Sequence, residues 1–474
     1  MCSMRLIVML FLLAGAGEAG AGQREARAAA EWVNRAVIYH IWLRSFSPEG
    51  TLAGVTARLD QLAELGVDVL YLSPIMQRSG IEPAGPYNIS DYYQIDPEYG
   101  TEADLKELCG QAHRRGLRIM LDIVYYHTAF DSVLMKYPDF FVRNPDGKIK
   151  LGNWYRPVLD FSNPKVREYL TGNLVHWVKN FDVDGYRCDV AGGSPTSFWE
   201  QARDALEKVK PGVLLLAEAD LPEHQLKAFN ISYNFTYHST LMKVMKDGEP
   251  ASLLREQWER MRAMMPRGAR MLHYTDNQDQ GRSVLSNGGR ADMMMTALNC
   301  TLDGIPFLYN GQEIWDTMPT DSGKQNPIRW GLLAERRWVF EGYKKLLQIR
   351  RREPALTSGE LIWVDNTEPG SVLSFIRRKG TDEVIVMVNL SNRKLTGTID
   401  LPVADYCPLF DLVRNERIGY RMYLGKLPFT LNGFDFRIAK REPPIGMGDF
   451  DYRKPGAVWE YLEKRKAAPN PPTP

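Results

Sequence analysis

The stretch Asp184-Gly185-Tyr186-Arg187-Cys188-Asp189-Val190 sets an arginine two residues before an aspartate within a short, largely apolar run. Side chains along a strand alternate with period two, so Arg187 and Asp189 share one face and Cys188 takes the other. A fixed guanidinium lowers the pKa of a neighbouring carboxylate and orients it, which suits a nucleophile that must stay ionised. A buried structural ion pair has the same signature, so this stretch alone does not choose between them. Three more carboxylates follow apolar runs: Asp122 after Arg118–Leu121, Glu218 after Leu214-Leu215-Leu216-Ala217, and Asp279 in His273-Tyr274-Thr275-Asp276-Asn277-Gln278-Asp279. Such carboxylates make poor core residues. Several of them together, with few cations, suit hydrolysis of a glycosidic bond: one carboxylate attacks the anomeric carbon and one carboxylic acid protonates the leaving oxygen. Arg187 marks Asp189 as the ionised member. Apolar neighbours and nearby like charges raise a carboxyl pKa, and they mark Glu218 as the acid.

These residues need elements that bring them together. Val37–Leu43, Val69–Leu72, Arg118–Ile123 and Val213–Glu218 read as short strands, as do Ser232-Tyr233-Asn234, Arg270–Tyr274 and Ile305–Tyr309. Helical spacing falls between them. Leu52, Val55, Leu59, Leu62 and Leu65 predict one helix over 52–65, stopped by Gly66. A second helix runs from Glu102 to Arg115, ending at Gly116. A third follows Asn163-Pro164, where Asn163 caps and Pro164 fits the first turn, and it leads into the Arg187 strand. Eight strand–helix repeats predict a closed (β/α)8 TIM barrel over residues 30–352, α/β in class, whose strand ends converge on one face. From Glu353 the pattern changes: Val372–Arg378 and Val384–Leu390 are strands separated by turn residues, with no long helix. They predict a C-terminal antiparallel β-sandwich domain over 353–440, followed by a tail over 441–474 whose proline-rich end is disordered.

Hydrophobic residues make up 44% of the 474 and charged residues 25%, an ordinary globular balance. The net charge of +1 gives no electrostatic argument for a nucleic-acid partner. Arg5, the apolar run Leu6–Leu13, and the small residues Ala14-Gly15-Ala16 and Ala19-Gly20-Ala21 predict a signal peptide over 1–22, and so a secreted or periplasmic protein. The run is too short to span a bilayer and no cysteine follows it, so no membrane anchor is expected after cleavage. Cys109, Cys188, Cys300 and Cys407 lack metal-like or disulfide-like spacing and read as small buried residues, although an exported chain leaves room for one disulfide.

Taken in order, the motifs resemble the α-amylase family of glycoside hydrolases (family 13). They are Asp122-Ile123-Val124-Tyr125-Tyr126-His127, Gly185-Tyr186-Arg187-Cys188-Asp189, Leu216-Ala217-Glu218 and Asn277-Gln278-Asp279. The loop Tyr87–Gly100 and the segment Gly304–Glu313 fit the same pattern, so the resemblance covers roughly residues 35–440. It implies that Asp189 is the nucleophile, Glu218 the general acid and base, and Asp279 a binder of hydroxyls on the sugar at the cleavage site. It further implies that Arg187 orients Asp189, that His127 and Asp122 contact that sugar, that Tyr87 stacks on it, and that Asn277 and Gln278 line the site. A short insertion after the third strand, about 128–160, is implied too. Of its aromatics, Phe140 and Phe141 read as packing residues, whereas Trp154 and Tyr155 serve equally well as packing or as cleft lining.

The chain also departs from the family. Tyr126 stands where many members have an asparagine that ligates a structural calcium, so no cofactor is expected at that site. Ala191-Gly192-Gly193 follows the nucleophile where many α-amylases place a lysine–histidine pair, and Asp189-Val190-Ala191 is closer to the cyclomaltodextrinase and neopullulanase group. Little chain separates the predicted signal from the first strand, so that group's dimer-forming N-terminal domain is not expected, and oligomeric state stays open. Gln278 replaces the usual histidine. The partner so implied is an α-glucan or maltooligosaccharide cut at α-1,4 bonds with retention. Glycosyl transfer or α-1,6 cleavage on the same scaffold is the alternative, and a silent sugar-binding protein is a third reading that the retained acids disfavour.

Overall fold

Short apolar runs become the staves of a barrel because both of their faces are covered. A computed structural model describes residues 24–82, 84–320, 326–401, 406–421 and 425–442. The predicted signal peptide and nearly all of the predicted tail therefore lie outside the described residues, as does the side chain of Cys407. Eight strands close in chain order: β1 (Ile38–Ile41), β2 (Val69–Leu72), β3 (Arg118–Val124), β4 (Gly185–Asp189), β5 (Leu214–Ala217), β6 (Ile231–Tyr233), β7 (Met271–His273) and β8 (Ile305–Tyr309). Every neighbouring pair is parallel, and β8 closes on β1 with Ile38 opposite Phe307.

Period two sorts each strand. Tyr71, Met120, Leu214, Leu216, Tyr233 and Phe307 fill the barrel interior, whereas Leu70, Leu121, Tyr186, Cys188 and Leu215 belong to the larger core outside the staves. Each aliphatic side chain so buried contributes about 1.5–3 kcal/mol of transfer free energy. The helix before β4, α1 (Pro164–Phe181), begins as expected: Asn163 Oδ1 accepts from Lys165 N at 3.0 Å. It ends at Asp182 in the left-handed region, and Leu170, Leu174, Trp177 and Phe181 are buried along it. Below β4, Asp184 accepts from Ile119 N at 2.8 Å and pairs with Lys210 at 2.9 Å, which pins the strand's entrance.

One expected helix is two. Leu52–Thr56 and Leu59–Leu65 are separate, with the break at Ala57–Arg58. The leucines keep their buried face across the break, so the apolar spacing survives although the helical hydrogen bonding does not. Beyond the barrel, β9 (Glu360–Trp363), β10 (Val372–Lys379), β11 (Asp382–Asn389), β12 (Leu395–Asp400), β13 (Tyr406–Asp411), β14 (Glu416–Arg421), β15 (Lys426–Leu431) and β16 (Phe436–Arg441) form the C-terminal domain. An antiparallel sheet in the order β9-β10-β11-β16-β13-β14 packs on the pair β12-β15. Ile376, Ile385 and Met387 of the first meet Ile399, Leu427 and Phe429 of the second in one core. Among the described residues no helix is long and apolar enough to cross a membrane.

Candidate active site

Asp122 of β3 lies directly opposite Arg187 of β4 in the strand register, and Asp189 follows two residues up the same face. The guanidinium is fully buried and serves three carboxylates. Its Nη1 donates to Asp122 Oδ1 at 2.9 Å and to Asp189 Oδ1 at 2.6 Å, and its Nη2 pairs with Glu218 Oε1 from the end of β5. Asp122 is also fully buried, and its Oδ2 accepts from the hydroxyls of Tyr71 at 2.7 Å and Tyr87 at 2.8 Å. Asp122 therefore supports Arg187 from beneath, with both of its carboxylate oxygens already hydrogen-bonded. Tyr71 was not singled out from sequence. Its inward position on β2 was the available signal.

Val190 turns the chain sharply after Asp189. Its φ of 43° and ψ of 44° put a β-branched residue in the left-handed region, a conformation that costs roughly 1–3 kcal/mol. The turn aims Val190 N at Glu218 Oε2, 2.7 Å away. Glu218 N in turn donates to Cys188 O at 3.1 Å, so backbone on both sides ties the two acids together. Arg187 bridges their carboxyls, with Nη1 on Asp189 and Nη2 on Glu218.

The other site residues surround this pair. Asp279 is exposed, at the end of a turn in which Asn277 Oδ1 accepts from Asp279 N at 2.9 Å and Gln280 N at 2.8 Å. Gln278 Nε2 donates to Asp279 Oδ2 at 2.7 Å, and the Gln278 side chain is largely buried. Asn277 thus shapes the turn and Gln278 holds Asp279. Tyr87 is half-buried, with its ring stacked on Trp42 at 6.2 Å between centroids and Arg187 5.8 Å from its centre. His127 Nε2 donates to Tyr87 O at 3.2 Å, which leaves Nδ1 an acceptor. Burial holds His127 down at about 4, so it is neutral at pH 7. In the insertion, Phe140 and Phe141 are buried, whereas Trp154 and Tyr155 are 52% and 77% exposed. Only Trp154 is seen to approach the site, 5.6 Å from the His127 ring.

Electrostatics separate the two acids. Burial raises Glu218 to about 7; Arg187 opposes this and Asp189 adds to it. Burial raises Asp189 to about 6, again against Arg187. The expectation that Arg187 lowers Asp189 is thus corrected: the guanidinium pulls down, but losing water costs the carboxylate more. The order still makes Asp189 the first to ionise and Glu218 the keeper of a proton. Asp279 is raised to about 6 by the protein packed around it and by Glu218. Its own side chain is open to solvent, which screens that shift, so it carries less weight. Beneath the β7 and β8 loops lies a second acidic group, not anticipated from sequence. Asp276 accepts from Ser283 N at 3.0 Å, Asp292 from Tyr343 Oη, and Glu313 from Tyr39 Oη at 2.7 Å. Among the described residues no group of three or more His, Cys, Asp or Glu side chains could hold a metal ion.

The comparisons with known proteins agree with this geometry. The sequence profile of the α-amylase catalytic domain matches residues 26–157 and 149–330. Neopullulanase 2 of Thermoactinomyces vulgaris is 28% identical, over 85% of this chain and 77% of its own length. A cyclomaltodextrinase of Thermoanaerobacter pseudethanolicus is 25% identical, over 79% of this chain and 73% of its own. The structure of the maltogenic α-amylase AmyB from Thermotoga neapolitana superposes with a TM-score of 0.81 at 26% identity, covering 87% of this chain and all of that one. A barrel whose strand ends carry these carboxylates, matched by that profile over most of its length, belongs to the α-amylase family of glycoside hydrolases.

Proposed function

We propose that the protein is a retaining hydrolase that cleaves α-1,4-glucosidic bonds in α-glucans or maltooligosaccharides through a covalent glycosyl-enzyme intermediate. The observation that carries this reading is that one guanidinium pairs with both Asp189 and Glu218, which keeps the two carboxyls close. An inverting pair stands far enough apart to admit a water between acid and base, whereas a retaining pair is close. Asp189 attacks the anomeric carbon while Glu218 gives its proton to the leaving oxygen. A water then takes the leaving group's place and loses its proton to Glu218, and its oxygen displaces Asp189. Asp279 accepts hydrogen bonds from sugar hydroxyls, and the half-buried face of Tyr87 receives the ring. The same proposal puts the enzyme outside the cytoplasm, on the strength of Arg5 and the apolar run Leu6–Leu13.

The test is incubation with maltoheptaose, pullulan, a cyclodextrin and isomaltose, with products identified over time and the first-formed anomer read by NMR. Cleavage of α-1,4 bonds with the α-anomer released first is the expected result. Release of the β-anomer, or cleavage of isomaltose alone, would overturn the reading.

A further inference from the structure

Tyr126 leaves β3 for the insertion at the position where the family resemblance puts a calcium-ligating asparagine. The residues present do not fit the ion. The space is filled by the Tyr126 ring, which lies between two glycines from different segments. A Cβ on Gly193, in the turn after the nucleophile, would lie 2.6 Å from Tyr126 Cδ2, and one on Gly152, in the insertion, 3.0 Å from Cε1. The first distance is a clash and the second is tighter than ordinary contact, so the ring touches both backbones only because neither residue has a side chain. Asp160, the insertion's last acidic residue, turns one carboxylate oxygen to its own turn: Oδ1 accepts from Ser162 N at 2.9 Å and from Ser162 Oγ at 2.6 Å.

The insertion is built around this ring. Tyr126 O accepts from Leu159 N at 3.3 Å, His127 pairs with Val158, and Gly152 N donates to Arg156 O at 2.9 Å to close the turn that bears Trp154. Trp154 stands edge-on to Tyr126 at 6.4 Å and leans over His127. A movement of Gly152 would therefore carry Trp154 with it.

We infer that Tyr126 is a positioning residue, an aromatic strut that ties the insertion to the loop after Asp189 without a metal ion and so holds Trp154 against the cleft as a sugar-facing wall. The Trp154 part rests on the α-glucan reading above; the strut itself does not. Packing replaces coordination here: a ring in contact with two backbones fixes their separation as an ion would, and it is insensitive to chelators.

The test uses the full chain, with Tyr126→Phe, Tyr126→Leu and Tyr126→Ala as variants. Three quantities are read: melting temperature with and without excess chelator, heat of calcium titration, and kcat and KM on maltoheptaose. Limited proteolysis within 128–160 reports on the strut independently of activity. The wild type should melt and turn over identically in chelator and give no calcium-binding heat. Tyr126→Phe should match it, because the packed ring is kept. Tyr126→Ala should be cut faster within the insertion and lose about ten- to a hundredfold in kcat/KM, mostly through KM, as expected when a positioning element shifts by about 1 Å. Tyr126→Leu should fall between them. Three results would overturn the inference: a lower melting temperature in chelator, calcium binding to the wild type, or Tyr126→Ala with wild-type KM and proteolysis. If no α-glucan is turned over by the wild type, the functional reading fails, while melting and proteolysis still decide on the strut.

Discussion

Asp122→Asn separates a buried support from a sugar contact. Asp122 and Asp189 both accept from Arg187 Nη1, at 2.9 and 2.6 Å, so their bonded oxygens lie no farther apart than about 5.5 Å, the two bonds end to end. Two unit charges at that distance repel by about 3 kcal/mol at an effective dielectric constant of ~20. This repulsion is one of the causes that raise Asp189 to about 6. Asparagine keeps an oxygen for Arg187 and turns an amide toward Tyr71 and Tyr87, whose hydroxyls can accept as well as donate. Arg187 retains Asp189 and Glu218, so no buried charge is left without a partner. With the like charge gone, Asp189 ionises more easily. Since ~1.4 kcal/mol corresponds to one pH unit, the acidic limb of kcat/KM should move down by about one to two units. The assay is kcat/KM on the best α-glucan from pH 4 to 9. A direct sugar contact would add a second effect, a loss of efficiency at every pH on top of the moved limb. An unmoved limb, or one moved upward, would refute the reasoning.

Asp189→Asn and Glu218→Gln should each lose several orders of magnitude in kcat while keeping the wild-type melting temperature within a few degrees, since one variant lacks the nucleophile and the other the acid. Gln278→Ala frees Asp279 Oδ2 and should lower kcat/KM about tenfold, the worth of one hydrogen bond of ~1–3 kcal/mol; unchanged efficiency would make Gln278 a spacer. Asp122, Asp189, Glu218, Asp276, Asp292 and Glu313 all have folded pKa values raised to about 6–7 by burial, so the stability they contribute is full below about 4 and is lost as pH rises through that range. Buried His40, His127, His224, His238 and His273 are lowered instead and remove stability as pH falls below about 6.5, so melting temperature should peak between about pH 4.5 and 6.5; a steady rise from pH 6 to 8 would contradict this.

What could be read from the chain depended on which interactions are local. The shared face of Arg187 and Asp189 follows from period two alone, and both residues point into the barrel from β4. Asn163 caps its helix through a hydrogen bond to Lys165 N, a contact between residues two apart. Val190 was not readable. Every local preference of a β-branched residue opposes a φ of 43°, and what accompanies it is a contact with Glu218, 28 residues away. Asp122 is legible as a strand-end carboxylate, but its burial is not, because its cover comes from Tyr71 and Tyr87 on other elements. Tyr126 read as a missing ligand, and its packing emerges only once Gly152 and Gly193 are brought to either side of it.

One imbalance organises the chemistry. Arg187 faces Asp122, Asp189 and Glu218, so a single cation meets up to three anions in a space closed to water on most sides. Near neutral pH the surplus charge is most cheaply relieved by one proton, and that proton goes to the carboxyl with the highest pKa. Glu218 is that group at about 7: burial raises it and Asp189 adds to the rise, and its Arg187 Nη2 pair and the Val190 N–H offset only part of it. The strand register thus does more than gather carboxylates. By giving three of them one guanidinium, it leaves the resting enzyme holding one proton on the acid beside an ionised nucleophile, the state that the first step of a retaining mechanism requires.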